Sequence, residues 1–158
     1  MKSVADILEL PVIEAEDGKE LGIIIDVGLK TEAKEMAGLI INKKQQEYLI
    51  GPKQLYSLGI DYIILKEQNN FVPLKDKELL RAKQIIGTTV VTMEGDNLGI
   101  VKDILLTDEG ELSGYELSDG LVQDILTGRN IIPVEQKIKY TDEKIIIEDR
   151  KVPMEELD

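Results

Sequence analysis

The sequence predicts a mainly β protein: two small, strongly bent barrels in tandem, with short flanking helices. Three observations carry this reading. A glycine–aspartate motif occurs twice, hairpin turn signals recur at close intervals, and the apolar residues are dominated by Ile, Leu and Val. The two copies read GKELGIIIDVGL over residues 18–29 and GDNLGIVKDILL over residues 95–106. They share Gly18/Gly95, Leu21/Leu98, Gly22/Gly99, Ile23/Ile100, Asp26/Asp103 and Leu29/Leu106. The match continues at Gly38/Gly114 and Pro52/Pro133, then at Tyr62-Ile63-Ile64-Leu65 and Lys144-Ile145-Ile146-Ile147. We expect a first domain over 1–70, a second over 76–153 and an acidic tail over 154–158. The polar, Asn-paired, Pro-containing stretch Glu67–Pro73 marks the boundary.

Each copy reads as a series of short strands. A first strand (Pro11–Ala15, then Thr88–Met93) meets a tight turn, Glu16-Asp17-Gly18-Lys19 or Glu94-Gly95-Asp96-Asn97, where Asp-Gly and Gly-Asp supply the positive φ that a hairpin needs. A long second strand follows, Leu21–Lys30 or Leu98–Thr107, and then a third, Ala37–Asn42 or Glu111–Ser118. A fourth ends at Pro52 or Pro133; after a short helical turn the last strand is Tyr62–Lys66 or Lys144–Asp149.

In the second strand the apolar positions common to both copies, 21, 23, 24, 27 and 29, do not keep one parity. A flat strand would put Ile24 and Val27 on opposite faces, so an extra residue near Asp26 and Asp103 is expected to restore the register. Ile25 becomes Lys102 in the second copy, which marks that position as solvent-facing. Asp26 and Asp103 then read as acceptors for backbone N–H groups at the distortion, since neither has a partner acid or base at close spacing. Gly22 and Gly99 read as points of bending or close backbone approach, because a strand follows each and a phosphate loop requires a helix there.

Helical pieces precede each copy. Ser3-x-x-Asp6 has capping-box spacing, and Asp76 ahead of Lys77–Lys83 is expected to play the same part. Lys75, Lys77, Arg81 and Lys83 read as a solvated basic face. The second copy also carries an insert, Ser118–Arg129, where Leu121, Val122, Ile125 and Leu126 fall on one face at helical spacing. It is read as a plug or bridge, or as a docking element in which Asp119, Leu121, Val122, Ile125 and Arg129 meet a partner.

Composition removes several classes of chemistry. Cys, His and Trp are absent, so no thiol nucleophile, Ser–His pair or imidazole-bound zinc can be built. Carboxylates gather at predicted turns and the tail (Glu14/Glu16/Asp17, Asp108/Glu109/Glu111, Glu148/Asp149 and Glu155/Glu156/Asp158) without calcium-loop spacing, so neither metal nor cofactor is expected. The net charge of −12 disfavours nucleic acid and anionic membranes and suits a cationic protein. Met1–Ile7 lacks the apolar run of a signal peptide, and a cytoplasmic protein is expected.

The pattern Val-x-x-x-x-Gly-x-x-Leu-Gly-x-Val/Ile-x-Asp-Val/Ile, with a later glycine and a hydrophobic-Pro step, resembles the PRC-barrel domain. It is carried by Val12/Ile13, Gly18, Leu21-Gly22, Ile24, Asp26-Val27, Gly38 and Ile50-Gly51-Pro52, and again by Val90/Val91, Gly95, Leu98-Gly99, Val101, Asp103-Ile104, Gly114 and Ile132-Pro133. Nearly the whole chain is covered, as in tandem PRC-barrel proteins of bacteria. The resemblance implies the fold of the cytoplasmic domain of the reaction-centre H subunit and of the C-terminal domain of a ribosome maturation factor. It also implies protein–protein contact rather than catalysis.

The expected function is therefore a non-enzymatic scaffold or adaptor acting on a protein partner, with a homodimer consistent with exposed sheet edges. The alternative is an RNA-processing or ribosome-assembly accessory that acts through a basic ribosomal protein. A carboxylate-dependent, metal-assisted hydrolase is the third reading.

Overall fold

In the computed structural model, residues 2–30, 35–66, 71–75, 79–118, 130–133 and 138–148 are described. The first elements are β1 (Lys2–Ser3), α1 (Val4–Ile7), β2 (Pro11–Glu14), β3 (Glu20–Lys30), β4 (Glu35–Lys43) and β5 (Gln46–Ile50). A 3₁₀ turn at Pro52–Gln54 leads into β6 (Leu55–Leu58), β7 (Ile63–Leu65), β8 (Val72–Pro73) and β9 (Leu80–Arg81). The remainder are α2 (Ala82–Ile85), β10 (Thr89–Thr92), β11 (Asn97–Leu106), β12 (Leu112–Ser118), β13 (Asn130–Pro133), β14 (Ile138–Tyr140) and β15 (Lys144–Ile147). The protein is mainly β, and among the described residues no helix is long and apolar enough to cross a membrane.

The first sheet runs β6-β7-β2-β3-β4-β5-β8, with β9 added on β3. The second contains the path β13-β12-β11-β10-β15-β14. The repeat is visible in the pairing: β2 lies parallel to β7 as β10 lies parallel to β15, and β2–β3 and β10–β11 are the corresponding antiparallel hairpins. Among the described residues the ladders are open rather than closed, because the end strands β6 and β8, or β13 and β14, are not paired with each other there.

The long strand bends where the parity argument requires. Ile24 pairs with Ile41 but Asp26 with Ile40, which leaves Ile25 as the extra residue of a bulge. Two further shifts occur, one against β2 between Val12 and Ile13 and one between Gly28 and Leu29. The two that fall on β3, at Leu21 and at Ile25, explain why Leu21, Ile24, Val27 and Leu29 are all buried. Ile23 and Ile100, next to the buried Ile24 and Val101, turn outward and are 43% and 44% exposed.

Two glycines mark a close approach common to both repeats. A Cβ on Gly38 would lie 2.3 Å from the carbonyl oxygen of Ile50, and one on Gly114 would lie 2.8 Å from that of Ile132. Only glycine lets β4 meet β5, and β12 meet β13, at that point.

Contacts divide the chain into two compact units. One holds Met1–Lys83 with Leu106–Leu112; the other holds Gln84–Leu105 with the described residues from Ser113 on. The core of the first includes Ile7, Ile24, Leu39, Ile40, Ile41, Ile50, Ile63 and Leu65. That of the second includes Val101, Ile104, Tyr115, Ile132 and Ile147.

The Ser3 capping box forms: the Asp6 N–H donates to Ser3 Oγ and the Ser3 N–H to Asp6 Oδ2, both at 3.2 Å. The helix expected over Lys77–Lys83 is corrected. Leu80–Arg81 is a strand on β3, and helix begins at Ala82. Helix-forming residues are overridden there by the free edge of β3. Asp76 lies outside the described residues.

Candidate interaction surface

The motif residues serve the backbone. Gly18 and Gly95 adopt φ of 71° and 90° at the tips of the two matching hairpins. Asp26 and Asp103 are buried, and each accepts the N–H of the next residue, Val27 or Ile104, at 2.8 Å on Oδ1. Asp26 Oδ1 also accepts the Lys83 N–H at 3.2 Å, so the bulge carboxylate holds the start of α2. Gly22 lies on β3, where its Cβ would meet the Asn42 carbonyl oxygen at 3.3 Å. The Gly99 N–H donates to Asn97 Oδ1 at 2.8 Å. Gly18, Gly22 and Asp26 in the first repeat correspond in sequence to Gly95, Gly99 and Asp103 in the second. Asp119, Leu121, Val122, Ile125 and Arg129, read from sequence as interaction residues, lie outside the described residues.

Among the described residues no three acids gather into a metal-holding group. Glu14, a carboxylate in a residue only 4% exposed, has its pKa pushed above the ordinary value by burial first and then by Asp17 and Glu16, with Lys19 opposing. A cavity of about 550 Å³ in the first unit is lined by Lys30, Glu35, Met36, Lys53, Leu112 and neighbours. Its lysine at position 30 is already paired with Glu35 at 3.4 Å. In the second unit the hydroxyls of Tyr115 and Tyr140 are hydrogen-bonded in the core with their rings edge-on. Burial raises the pKa of both phenols, so the pair is neutral.

Three of the exposed large apolar side chains among the described residues belong to one hairpin. β6 and β7 form a hairpin in which Leu58 pairs with Ile63 and Ser57 with Ile64, while Tyr56 is the extra residue before Leu55 pairs with Leu65. Leu55, Leu58, Ile63 and Leu65 are buried, which anchors the hairpin to the core of the first unit. The turn is closed by the Gly59 N–H donating to the Tyr62 carbonyl at 3.0 Å. A Cβ on Gly59 would lie 2.6 Å from that oxygen, so glycine is required for so tight a turn. The anchored strands leave Tyr56, Ile60 and Tyr62 outside the core at 72%, 79% and 47% exposure.

The second repeat builds the same hairpin with opposite surface chemistry. β14 and β15 pair through Ile138 with Ile147 and Tyr140 with Ile145, and the turn is again closed by an N–H to C=O bond, Thr141 to Lys144, at 3.0 Å. Gly59-Ile60-Asp61-Tyr62 therefore corresponds to Thr141-Asp142-Glu143-Lys144, and Ile60 and Tyr62 face Asp142 and Lys144 in the comparison. The turn does not demand apolar residues. Sequence reading missed this surface; the available signal was the contrast between Gly-Ile-Asp-Tyr and Thr-Asp-Glu-Lys in the two copies.

The two edges of the first sheet also differ. At one end β8 lies on β5, with Pro73 opposite Tyr48 and the Phe71 ring 6.3 Å from that of Tyr48. Proline at an edge blocks further pairing. At the other end lies β6 with its exposed tyrosine.

Comparison with known proteins agrees with this architecture. The family model for the PRC-barrel domain matches residues 1–69 and again 77–152. A search of the curated proteins found no match. Two matched segments covering nearly all of the sequence, each containing the bent glycine–aspartate strand, show that the chain belongs to the PRC-barrel domain family.

Proposed function

We propose that this chain is a non-enzymatic protein-interaction module, a scaffold or adaptor whose contact surface is the β6–β7 hairpin of the first repeat. The observation that carries this reading is the contrast between the hairpins: one turn architecture bears Ile60 and Tyr62 in the first repeat and Asp142 and Lys144 in the second. Large apolar side chains left exposed where the fold tolerates charge are a feature of binding surfaces. Tyrosine suits such a surface because it offers a broad apolar face and a polar tip at little entropic cost.

The test is crosslinking in cells, read by mass spectrometry, comparing the wild-type chain with an Ile60→Asp/Tyr62→Lys variant. The sister hairpin shows that this turn accepts those residue types. The reading expects crosslinks from Lys53 and Lys66 to a specific protein in the wild type and their loss in the variant. Identical crosslinks in both would reject the hairpin as the contact.

A second reading is an RNA-processing or ribosome-assembly accessory acting through a basic ribosomal protein, a reading that the net charge of −12 permits. It expects binding that weakens steeply with salt and a changed ribosome profile when the gene is deleted. An unchanged profile removes it.

A further inference from the structure

From the charges around the hairpin we infer that its occupant is a second copy of this chain, bound through a two-fold contact between β6 edges. This inference rests on the interaction reading above and names the partner of the same surface.

The apolar residues Tyr56, Ile60 and Tyr62 are flanked by charges of opposite sign at opposite ends. At the base stand the exposed Lys53 and Lys66, brought together because the Lys66 N–H donates to the Gln54 carbonyl at 2.9 Å. At the tip stands the exposed Asp61. Neither Lys53 nor Asp61 has an ion-pair partner among the described residues. A two-fold contact is self-complementary: if residue i meets j, then j meets i. Lys53 precedes β6 and Asp61 follows it. Antiparallel apposition of two β6 strands places the base of each hairpin, with Lys53, beside the tip of the other, with Asp61, and Tyr56 on the apposed strand. β6 is the end of its sheet path, so this apposition extends the sheet. A strongly cationic partner fits this patch less well, because it meets two lysines beside the apolar residues.

Electrostatics gives the contact a signature of its own. Two chains of net charge −12 repel at distances beyond the contact, and salt screens that repulsion. The association of copies therefore strengthens between low and moderate salt, whereas capture of a basic partner weakens.

The experiment is sedimentation equilibrium of the full chain, from micromolar concentrations to about 1 mM, the range suited to a small contact. We expect a monomer–dimer equilibrium that tightens with added NaCl. Ile60→Asp/Tyr62→Lys raises the dimer dissociation constant at least roughly tenfold, with circular dichroism unchanged. Lys53→Asp and Asp61→Lys each weaken the dimer, and the Lys53→Asp/Asp61→Lys double variant recovers it. A monomer at every concentration, a dimer indifferent to the hairpin substitutions, or a double variant that fails to recover would each overturn the proposal. A monomer whose hairpin crosslinks specifically to a different protein overturns the second copy while leaving the interaction reading intact. A monomer with no hairpin-dependent crosslinks removes both.

Discussion

Arg81 and Glu47, 34 residues apart in sequence, meet in a two-point ion pair, Nη2 to Oε1 at 2.6 Å and Nη1 to Oε2 at 3.2 Å. Glu47 lies on β5 and Arg81 on β9, the strand added to β3, so the pair joins strands that share no ladder. Arg81 also falls within the second family segment, 77–152, yet belongs to the compact unit that contains the first. The first sheet is thus completed by a strand from beyond its own repeat.

The ion pair sets a pH dependence. The hydrogen bond from Arg81 lowers the Glu47 pKa from its ordinary 4.5, against an opposing effect of burial. A lowered pKa in the folded state contributes stability above the unfolded value, and that contribution is lost as pH falls through the folded one. The two side chains are 29% and 34% exposed, which limits the effect. Arg81→Ala is expected to cost about 1 kcal/mol in urea unfolding at pH 7, and the difference from wild type should shrink as acid protonates Glu47. A difference that stays equal in acid contradicts the assignment.

Asp26 should matter through its oxygen rather than its charge. Oδ1 accepts two backbone N–H groups, from Val27 and Lys83. Asp26→Ala leaves both donors without that partner and should destabilise by about 2–4 kcal/mol, taking roughly 1–2 for each. Asp26→Asn retains an acceptor and should lose less than half as much. Chemical denaturation of the two variants separates these outcomes, and equal losses would point to a role for the charge instead.

The tyrosine pair in the second unit allows a double-mutant cycle. Tyr115→Phe or Tyr140→Phe alone strands one buried hydroxyl, at about 1–3 kcal/mol, while the double substitution removes both polar groups and should cost less than the two single losses together. Both phenols have raised pKa values. A raised folded value means that stability present below the unfolded pKa near 10 is lost as pH climbs above it. Ultraviolet titration should show these two of the five tyrosines ionising late, or only with alkaline unfolding. Additive single losses would contradict the pairing.

The glycines facing Ile50 and Ile132 should rank by clearance. Alanine at position 38 puts its methyl 2.3 Å from a carbonyl oxygen, against 2.8 Å at position 114. Gly38→Ala should therefore destabilise more than Gly114→Ala, and each should cost at least about 1 kcal/mol. Differential scanning calorimetry gives the order; a neutral Gly38→Ala would contradict the close approach.

Much of the fold was legible because short-range signals and the repeat agreed. Asp17-Gly18 and Gly95-Asp96 fix two hairpins, and the broken parity around Ile24 and Val27 reveals a bulge without any coordinates. What was not legible depends on tertiary pairing. Lys77–Lys83 is rich in helix formers, yet Leu80 and Arg81 extend because β3 offers them an edge. Leu55–Leu58, directly after a Pro-initiated turn, carries too few residues for a period-two signal and becomes a strand by pairing with β7. Ile23 and Ile100 are apolar in both copies, yet alternation with the buried Ile24 and Val101 turns them outward. The hairpin surface was hidden for a related reason. Tyr56, Ile60 and Tyr62 resemble core residues in composition, and only the pairing of β6 with β7 shows which side chains the core leaves outside.

The most direct measurement places a photoreactive amino acid at position 60 in one chain and at position 142, the matching turn position of the second repeat, in another. Both chains are irradiated in cells. The account predicts discrete protein adducts, including adducts to the chain itself, from position 60 and none of comparable yield from position 142. Equal labelling from the two positions, or labelling from position 142 alone, would contradict it.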